Sequence, residues 1–295
     1  AGYNNSGGDV VFVGHETGYN NAGNGNTAVG HRAGMLNTTG GNNTAVGKGC
    51  MLSNTTGVNS TALGSGALQA NTTANNNTAI GLNSLYYNTT GSSNTAVGKD
   101  ALLVNTTGTE NTAVGANAAD AMTTGNYNTA VGKDALNVAT TGNYNTAVGI
   151  SAGNKITTGA NHTLMGQGAG GQLTTASNCL ILGYDAGQAG SPGGAITASN
   201  IIALGDENIT ACHVQVDWTI ASDKRDKTDV TPMKMGLDFV NKLEPVTYRW
   251  DKRSKYVEQD EDFKDLITDG THKEDWLDTG FLAQDVEKLE SEYGY

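Results

Sequence analysis

The stretch Asn94-Thr95-Ala96-Val97-Gly98-Lys99-Asp100-Ala101-Leu102, followed by Asn105-Thr106-Thr107-Gly108, decides the fold, because close copies of it run through most of the chain. Its anchoring glycine recurs as Gly14, Gly30, Gly47, Gly64, Gly81, Gly98, Gly115, Gly132, Gly149, Gly166, Gly183 and Gly205. The spacing is 17 residues, apart from a first step of 16 and a last of 22. The last step has room for an insertion, for which Ser191-Pro192-Gly193-Gly194 is the candidate. A single period held over this many units marks a repeat architecture.

The chemistry inside a unit repeats with the letters. The residue before the glycine is apolar in every unit, as Val29, Leu63, Ile80 and Met165 show, and the one before that is mostly Ala. Three residues after the glycine the side chain is small from Gly30 to Gly183 (Ala33, Cys50, Ala67, Ser84, Ala101, Ala135), which implies close backbone approach. A second turn signal, Asn-Thr-Thr-Gly, ends ten residues after the glycine at Asn37–Gly40, Asn54–Gly57, Asn88–Gly91 and Asn105–Gly108. A unit with two turns and no apolar i, i+3, i+4 stripe is too short for a helix pair and too regular for disorder.

It fits one coil of a β-solenoid. Thr-Ala-Val is then a short strand, Gly supplies positive φ at the corner, and Asn and Thr stack on their counterparts in hydrogen-bonded ladders. At about 4.8 Å per coil the array makes a rod of roughly 50 Å. A strand alternating Ala and Val presents one to each face, so the outer apolar face needs a partner. Copies of the same chain are the simplest partner and a homotrimer is expected, although periodicity alone equally allows a dimer or a packed monomer. The last units are more apolar (Leu164-Met165, Leu180-Ile181-Leu182, Ile201-Ile202-Ala203-Leu204), as in a broader, drier base.

Composition bounds the partners. The 295 residues include 41 Gly and only 3 Pro, and the net charge is −12, which opposes a phosphate-backbone footprint, so nucleic acid is not expected. No apolar run approaches the roughly 18–20 residues that span a bilayer, and the first residues lack the basic flank and apolar block of a signal peptide, so no membrane insertion is expected. Without an initiator Met the chain is expected to be a fragment or a processed product. Cys50, Cys179 and Cys212 are too scattered for a disulfide framework and too far apart for zinc, and free, buried thiols are expected. None of His15, His31, His162, His213 and His272 has a partner at i, i+4, so no metal and no cofactor is expected. The glycines fall at coil corners and make no phosphate loop.

Charge divides the chain. Residues 1–221 carry 5 basic and 10 acidic side chains, whereas residues 222–295 carry 12 and 19, which places a domain boundary near residue 221. Beyond it the spacing predicts a helix over Met233–Leu243, a strand over Val246–Trp250, a solvated loop at Glu258–Asp262, and a turn entering a helix over Thr279–Glu287. On the boundary lies Ser222-Asp223-Lys224-Arg225-Asp226-Lys227-Thr228. A serine hydroxyl needs a base at neutral pH, and a lysine of depressed pKa can serve, as in Ser-Lys dyads. On these residues alone a charged linker is the simpler reading.

Two resemblances bear on this. The repeat Asn-Thr-Ala-Val-Gly-x-x-Ala over residues 9–205 resembles the head repeats of trimeric autotransporter adhesins and, more closely, repeats of bacteriophage tail fibres; the added Asn-Thr-Thr-Gly turn is a departure. That resemblance implies a left-handed parallel β-roll of three chains. Ser222-Asp223-x-Arg225-x-Lys227, then Gly236-Leu237 to Leu243-x-Pro245-Val246-x-Tyr248-x-Trp250, then Gly280-Phe281-x-Ala283-Gln284-x-Val286-Glu287, resembles the intramolecular chaperone auto-processing domain of endosialidase-type tail spikes and fibres. It implies a small α+β domain that trimerises the fibre and then cuts itself off. By motif the scissile bond is Ala221–Ser222, Ser222 is the nucleophile, Lys227 its general base, and Asp223 and Arg225 support them. Relatives continue past the last motif into helices that wrap the trimer, so residues 222–295 are read as truncated.

The expected protein is therefore a structural fibre of a phage tail or similar virion appendage, assembled in the host cytoplasm. Its partners would be two copies of itself, other tail proteins and a host receptor, for which a glycan is one candidate. A cell-surface adhesin fibre is one alternative. A carbohydrate depolymerase is another, since Asp100 and Asp134 would lie roughly 9.6 Å apart, near the separation of about 6.5–9.5 Å in inverting pairs. Repeated Lys-Asp corners read more simply as solvated decoration. The Thr-rich turns offer an ice- or mineral-binding array or a structural ladder, and also match the Asn-x-Thr glycan acceptor pattern. Tyr86, Tyr87, Tyr127 and Tyr144 at turns suit sugar contact or local packing.

Overall fold

The computed structural model describes residues 1–191, 193–212, 237–249, 270, 271, 273, 275 and 277–293. The chain divides into two compact units, Ala1–Ile209 and Thr210–Tyr295. The first is a parallel β-solenoid of about 17 residues per coil. Its strands are β1 (Val11–Val13), β2 (Thr27–Val29), β3 (Thr44–Val46), β4 (Thr61–Leu63), β5 (Thr78–Ile80) and β6 (Thr95–Val97), then β7 (Thr112–Val114), β8 (Thr129–Val131), β9 (Thr146–Val148), β10 (Thr163–Met165), β11 (Leu180–Leu182) and β12 (Ile202–Leu204). They form one 12-stranded sheet in sequence order, each strand parallel to the next. Register is residue on equivalent residue, as in Thr95↔Thr112, Ala96↔Ala113 and Val97↔Val114.

The alternation within each strand sets what is inside. The central Ala is buried and its neighbours are partly or fully exposed. Beside these alanines the core is filled by the small residues of the first corner (Ala101, Ala118, Ala135) and by the next residue inward (Met51, Leu68, Leu85, Leu102, Leu136). These large side chains reach the core from a left-handed backbone, with φ near 50° at Leu68, Leu85, Leu102 and Leu136. That conformation costs about 1–2 kcal/mol for an L residue, and burial of a leucine, worth about 1.5–3 kcal/mol, offsets it.

The anchoring glycine is fixed twice over. At Gly98 φ is 138°, and a Cβ there would overlap the carbonyl oxygen of Gly115 in the next coil. The 16-residue first step is absorbed at the second turn, where Ala22 alone stands for the Thr pair and its N–H donates to the Thr38 carbonyl. The extra residues of the last step bulge near Ser191, which is buried and whose Oγ accepts from the Gly187 N–H at 2.9 Å.

Two asparagine ladders run through the interior. In the first, Asn94 Nδ2 donates to the Gly108 carbonyl at 2.8 Å, and its Oδ1 accepts from the Asn111 N–H at 3.0 Å. Asn26, Asn43, Asn77, Asn111, Asn128 and Asn145 repeat this arrangement. In the second, Asn37, Asn54, Asn71, Asn88 and Asn105 pass amide hydrogens down a column, Asn54 Nδ2 to Asn37 Oδ1 at 2.7 Å for example. That column ends at the apolar Met122, which leaves Asn105 Oδ1 buried without a partner. From there Ala139, Ile156 and Leu173 hold the position, and the interior becomes drier towards the last coils.

In the second unit the described elements are α1 (Leu237–Lys242), β13 (Val246–Tyr248), β14 (Asp278–Gly280) and α2 (Ala283–Glu292). The expected helix over Met233–Leu243 is described from Leu237 onward, and the expected strand from Val246 as far as Tyr248. Strands β13 and β14 pair antiparallel, Val246 opposite Gly280 and Tyr248 opposite Asp278. Among the described residues no helix is long and apolar enough to cross a membrane.

Candidate functional site

Each surface of the solenoid is one coil position repeated. The outward residue of every strand forms an apolar row, in which Val13, Leu63, Ile80, Val114, Met165 and Leu204 are between 37% and 57% exposed. Such a row, continuous from β1 to β12, is the kind of contiguous apolar surface that marks an interface.

The corner carboxylates are tied down. Asp100 accepts from Asn83 Nδ2 at 3.1 Å and lies 3.2 Å from Lys99 Nζ; Asp134 accepts from Asn117 at 2.9 Å and lies 3.5 Å from Lys133. This is the arrangement of a repeated structural corner, and it leaves neither group placed as a free acid or base. Sequence reading passed over Asp120 in the intervening coil. Its carboxyl is pushed above the ordinary range by burial first, then by the charges of Asp134 and Asp100.

The turns are structural as well. Thr38, Thr55, Thr72, Thr89 and Thr106 each donate Oγ1 to a threonine carbonyl one coil on, at 2.8–3.1 Å. Asn37, Asn54, Asn88 and Asn105, the acceptor asparagines of the Asn-x-Thr pattern, are buried with their amides in the ladder. Folding therefore closes these four turn acceptors, because the nitrogen to be modified is inside, whereas Asn42, Asn59 and Asn76, which match the same pattern outside the Thr turns, are exposed. Tyr127 and Tyr144 stack at 5.0 Å along the coil direction, and Tyr86 meets Tyr87 edge to face at 4.7 Å.

His162 occupies the asparagine position of the first ladder. Its Nε2 bonds the Ala176 carbonyl at 2.8 Å, and its Nδ1 accepts from the Cys179 N–H at 3.2 Å. These partners fix the neutral tautomer with the proton on Nε2. Burial holds its pKa below the ordinary imidazole value, against a smaller raising effect of the two backbone bonds. Cys50 is buried and its thiol is pushed up to about 12 by burial. Cys179 is buried too, but Cys212 is exposed, contrary to expectation. His15 and His31, which no i, i+4 rule connects, stack at 5.3 Å because their separation of 16 is one coil.

In the second unit the structure joins two of the three C-terminal motifs, since the β13–β14 pair brings Val246 and Tyr248 to Gly280. Phe239 of α1 meets the Tyr293 ring edge to face at 5.6 Å, and Lys242 Nζ lies 4.9 Å from the centre of the same ring and 3.7 Å from Glu292. The Lys242 amine is held above its ordinary value, first by its hydrogen bond to Tyr293. Helix α2 has no buried residue, and Val240, Phe281 and Leu282 are exposed. The expected cleavage site Ala221–Ser222, the dyad Ser222 and Lys227, and the supporting Asp223 and Arg225 lie outside the described residues, as do His213 and His272.

The chain is, by architecture, a repeat protein of stacked coils followed by a separate small unit with a two-stranded sheet and helices. Residues 222–295 match the family Peptidase_S74, chaperone of endosialidase. The match and the parallel solenoid together fit a tail fibre with a C-terminal chaperone domain. Neither a curated protein nor a solved structure matches the chain significantly.

Proposed function

We propose that this chain is the structural subunit of a homotrimeric phage tail fibre or similar virion appendage that attaches to a host surface, and that residues 222–295 drive its trimerisation and then sever themselves. One observation carries the reading: a parallel solenoid with an unpartnered apolar row is joined in one chain to a segment matched by the endosialidase chaperone family. A left-handed roll of three chains covers that row. In the second unit, taken by itself, the exposed Val240, Phe281 and Leu282 are suited to contact with other copies of that unit. The host receptor, a glycan for instance, and other tail proteins are the remaining partners.

In the proposed cleavage, Lys227 Nζ takes the Ser222 hydroxyl proton as Oγ adds to the Ala221 carbonyl carbon. The Ala221–Ser222 C–N bond breaks, the amine leaves with a proton returned by the lysine, and water hydrolyses the resulting ester. Asp223 and Arg225 orient the pair. Loss of the chaperone makes the trimer kinetically irreversible, since the aid that lowered the assembly barrier is gone.

The test is the intact mass of the freshly expressed full chain beside Ser222→Ala and Lys227→Ala, with oligomeric state by light scattering. Cleavage between Ala221 and Ser222 in wild type alone, with trimers in all three, is the expected result. Wild-type monomers would overturn the fibre reading, and trimers that stay whole would overturn the dyad.

A further inference from the structure

The first two coils carry a cluster for which fibre assembly has no use. His15 follows the corner glycine Gly14 and His31 follows Gly30; the β1–β2 register, Val13 opposite Val29, sets one imidazole above the other. The rings stack with centroids 5.3 Å apart and planes 6° from parallel. Glu16 Oε2 lies 4.0 Å from His15 Nδ1, and one ligand atom from each of His15, Glu16 and His31 falls within 4.8 Å of the others. The backbone beneath is locked, with the Gly30 N–H on the Val13 carbonyl at 2.8 Å and the Arg32 N–H on the His15 carbonyl at 2.9 Å.

We infer that His15, His31 and Glu16 form a binding site for a divalent first-row transition ion of the Zn²⁺ or Cu²⁺ class. Two neutral imidazoles and one carboxylate are the donor set such ions take, with water completing the shell. A tetrahedral ion with metal–nitrogen bonds of about 2.0–2.1 Å holds its nitrogens roughly 3.4 Å apart. The stacked rings reach that spacing by side-chain rotation, which is open to them because the His15 side chain is 71% exposed. Arg32 Nε donates to Glu16 Oε2 at 2.6 Å and so orients the carboxylate beside His15, the role of an outer-shell partner.

The site sits where a clip is useful. His15 and His31 follow β1 and β2, which pair in register, so they stand at the same corner of successive coils. An ion shared by the two ties one coil to the next, and binding to the folded state alone raises stability with ion concentration.

The experiment is calorimetric titration of the untagged full chain with ZnSO₄, and separately CuCl₂, at pH 7.5 in a non-coordinating buffer, alongside His15→Asn, His31→Asn and Glu16→Gln. One ion per chain, bound at least tenfold more weakly in each histidine variant and less affected in Glu16→Gln, is expected. In wild type, but not in His31→Asn, Zn²⁺ should also slow hydrogen exchange of the Gly30 and Arg32 amides. Absence of stoichiometric binding, or binding unchanged in both histidine variants, overturns the site.

Discussion

At the scale of single residues, His162 is where the interior is most sensitive to solution conditions. The imidazole replaces an asparagine only while Nδ1 is bare, because a proton there would point at the Cys179 N–H. Its pKa is lower folded than unfolded, so below the ordinary value of 6.5 the unfolded chain takes up a proton that the folded chain refuses. Stability from this site is therefore full above that value and declines as the pH falls below it, until the folded state too is protonated. His162→Asn should restore the uniform ladder. Thermal unfolding at pH 7 and pH 5 should show a smaller acid-induced loss for the variant than for wild type, whereas an equal loss would mean that His162 does not titrate across folding.

At the scale of the coil, the two ladders explain why so polar a sequence has an interior at all. Each amide of the first ladder accepts from a backbone N–H of the next coil that would otherwise be unbonded, and the second ladder's amides bond one another and share the turn glycine carbonyls with the first. Asn94→Ala strands the Asn111 N–H and leaves the Gly108 carbonyl to Asn105 Nδ2 alone, so a loss of about 1–3 kcal/mol is expected in denaturant unfolding. Lys99→Ala, which removes an exposed ion pair one corner away, should change stability by about 0–1 kcal/mol. The glycine period, the Thr-Ala-Val strand, the small third residue and the Asn and Thr ladders were all legible in the sequence, because parallel in-register stacking makes each repeated letter a repeated contact. Two things were not. Leu68, Leu85, Leu102 and Leu136 follow the small residue in what reads as a turn, and only the left-handed backbone turns them inward. The His15–His31 pair escaped because helical spacing was the rule applied, when the relevant neighbour distance in a solenoid is one coil.

At the scale of the whole molecule, the outward apolar row is the surface that the proposed trimer would cover. Ile80→Lys with Val114→Lys places charge on that row without touching the buried alanines of β5 and β7. Sedimentation should show a shift from trimer to monomer, with β-strand circular dichroism retained in the monomer; trimers of unchanged stability would show that the row faces solvent. The auto-processing residues were legible only by family motif, since Ser222 and Lys227 are separated by an ordinary charged stretch and have no periodic context that would single them out.

In-register stacking of near-identical coils also fixes how such a protein can vary over generations. Excising or duplicating one period leaves every ladder, corner and strand facing an equivalent partner, whereas a change of a few residues has to be absorbed at a turn, as at the shortening by Ala22 and the bulge near Ser191. Reach is thus heritable in quanta of one strand spacing, about 4.8 Å. Recombination between the repeated stretches of its own coding sequence is enough to tune it without inventing a new contact.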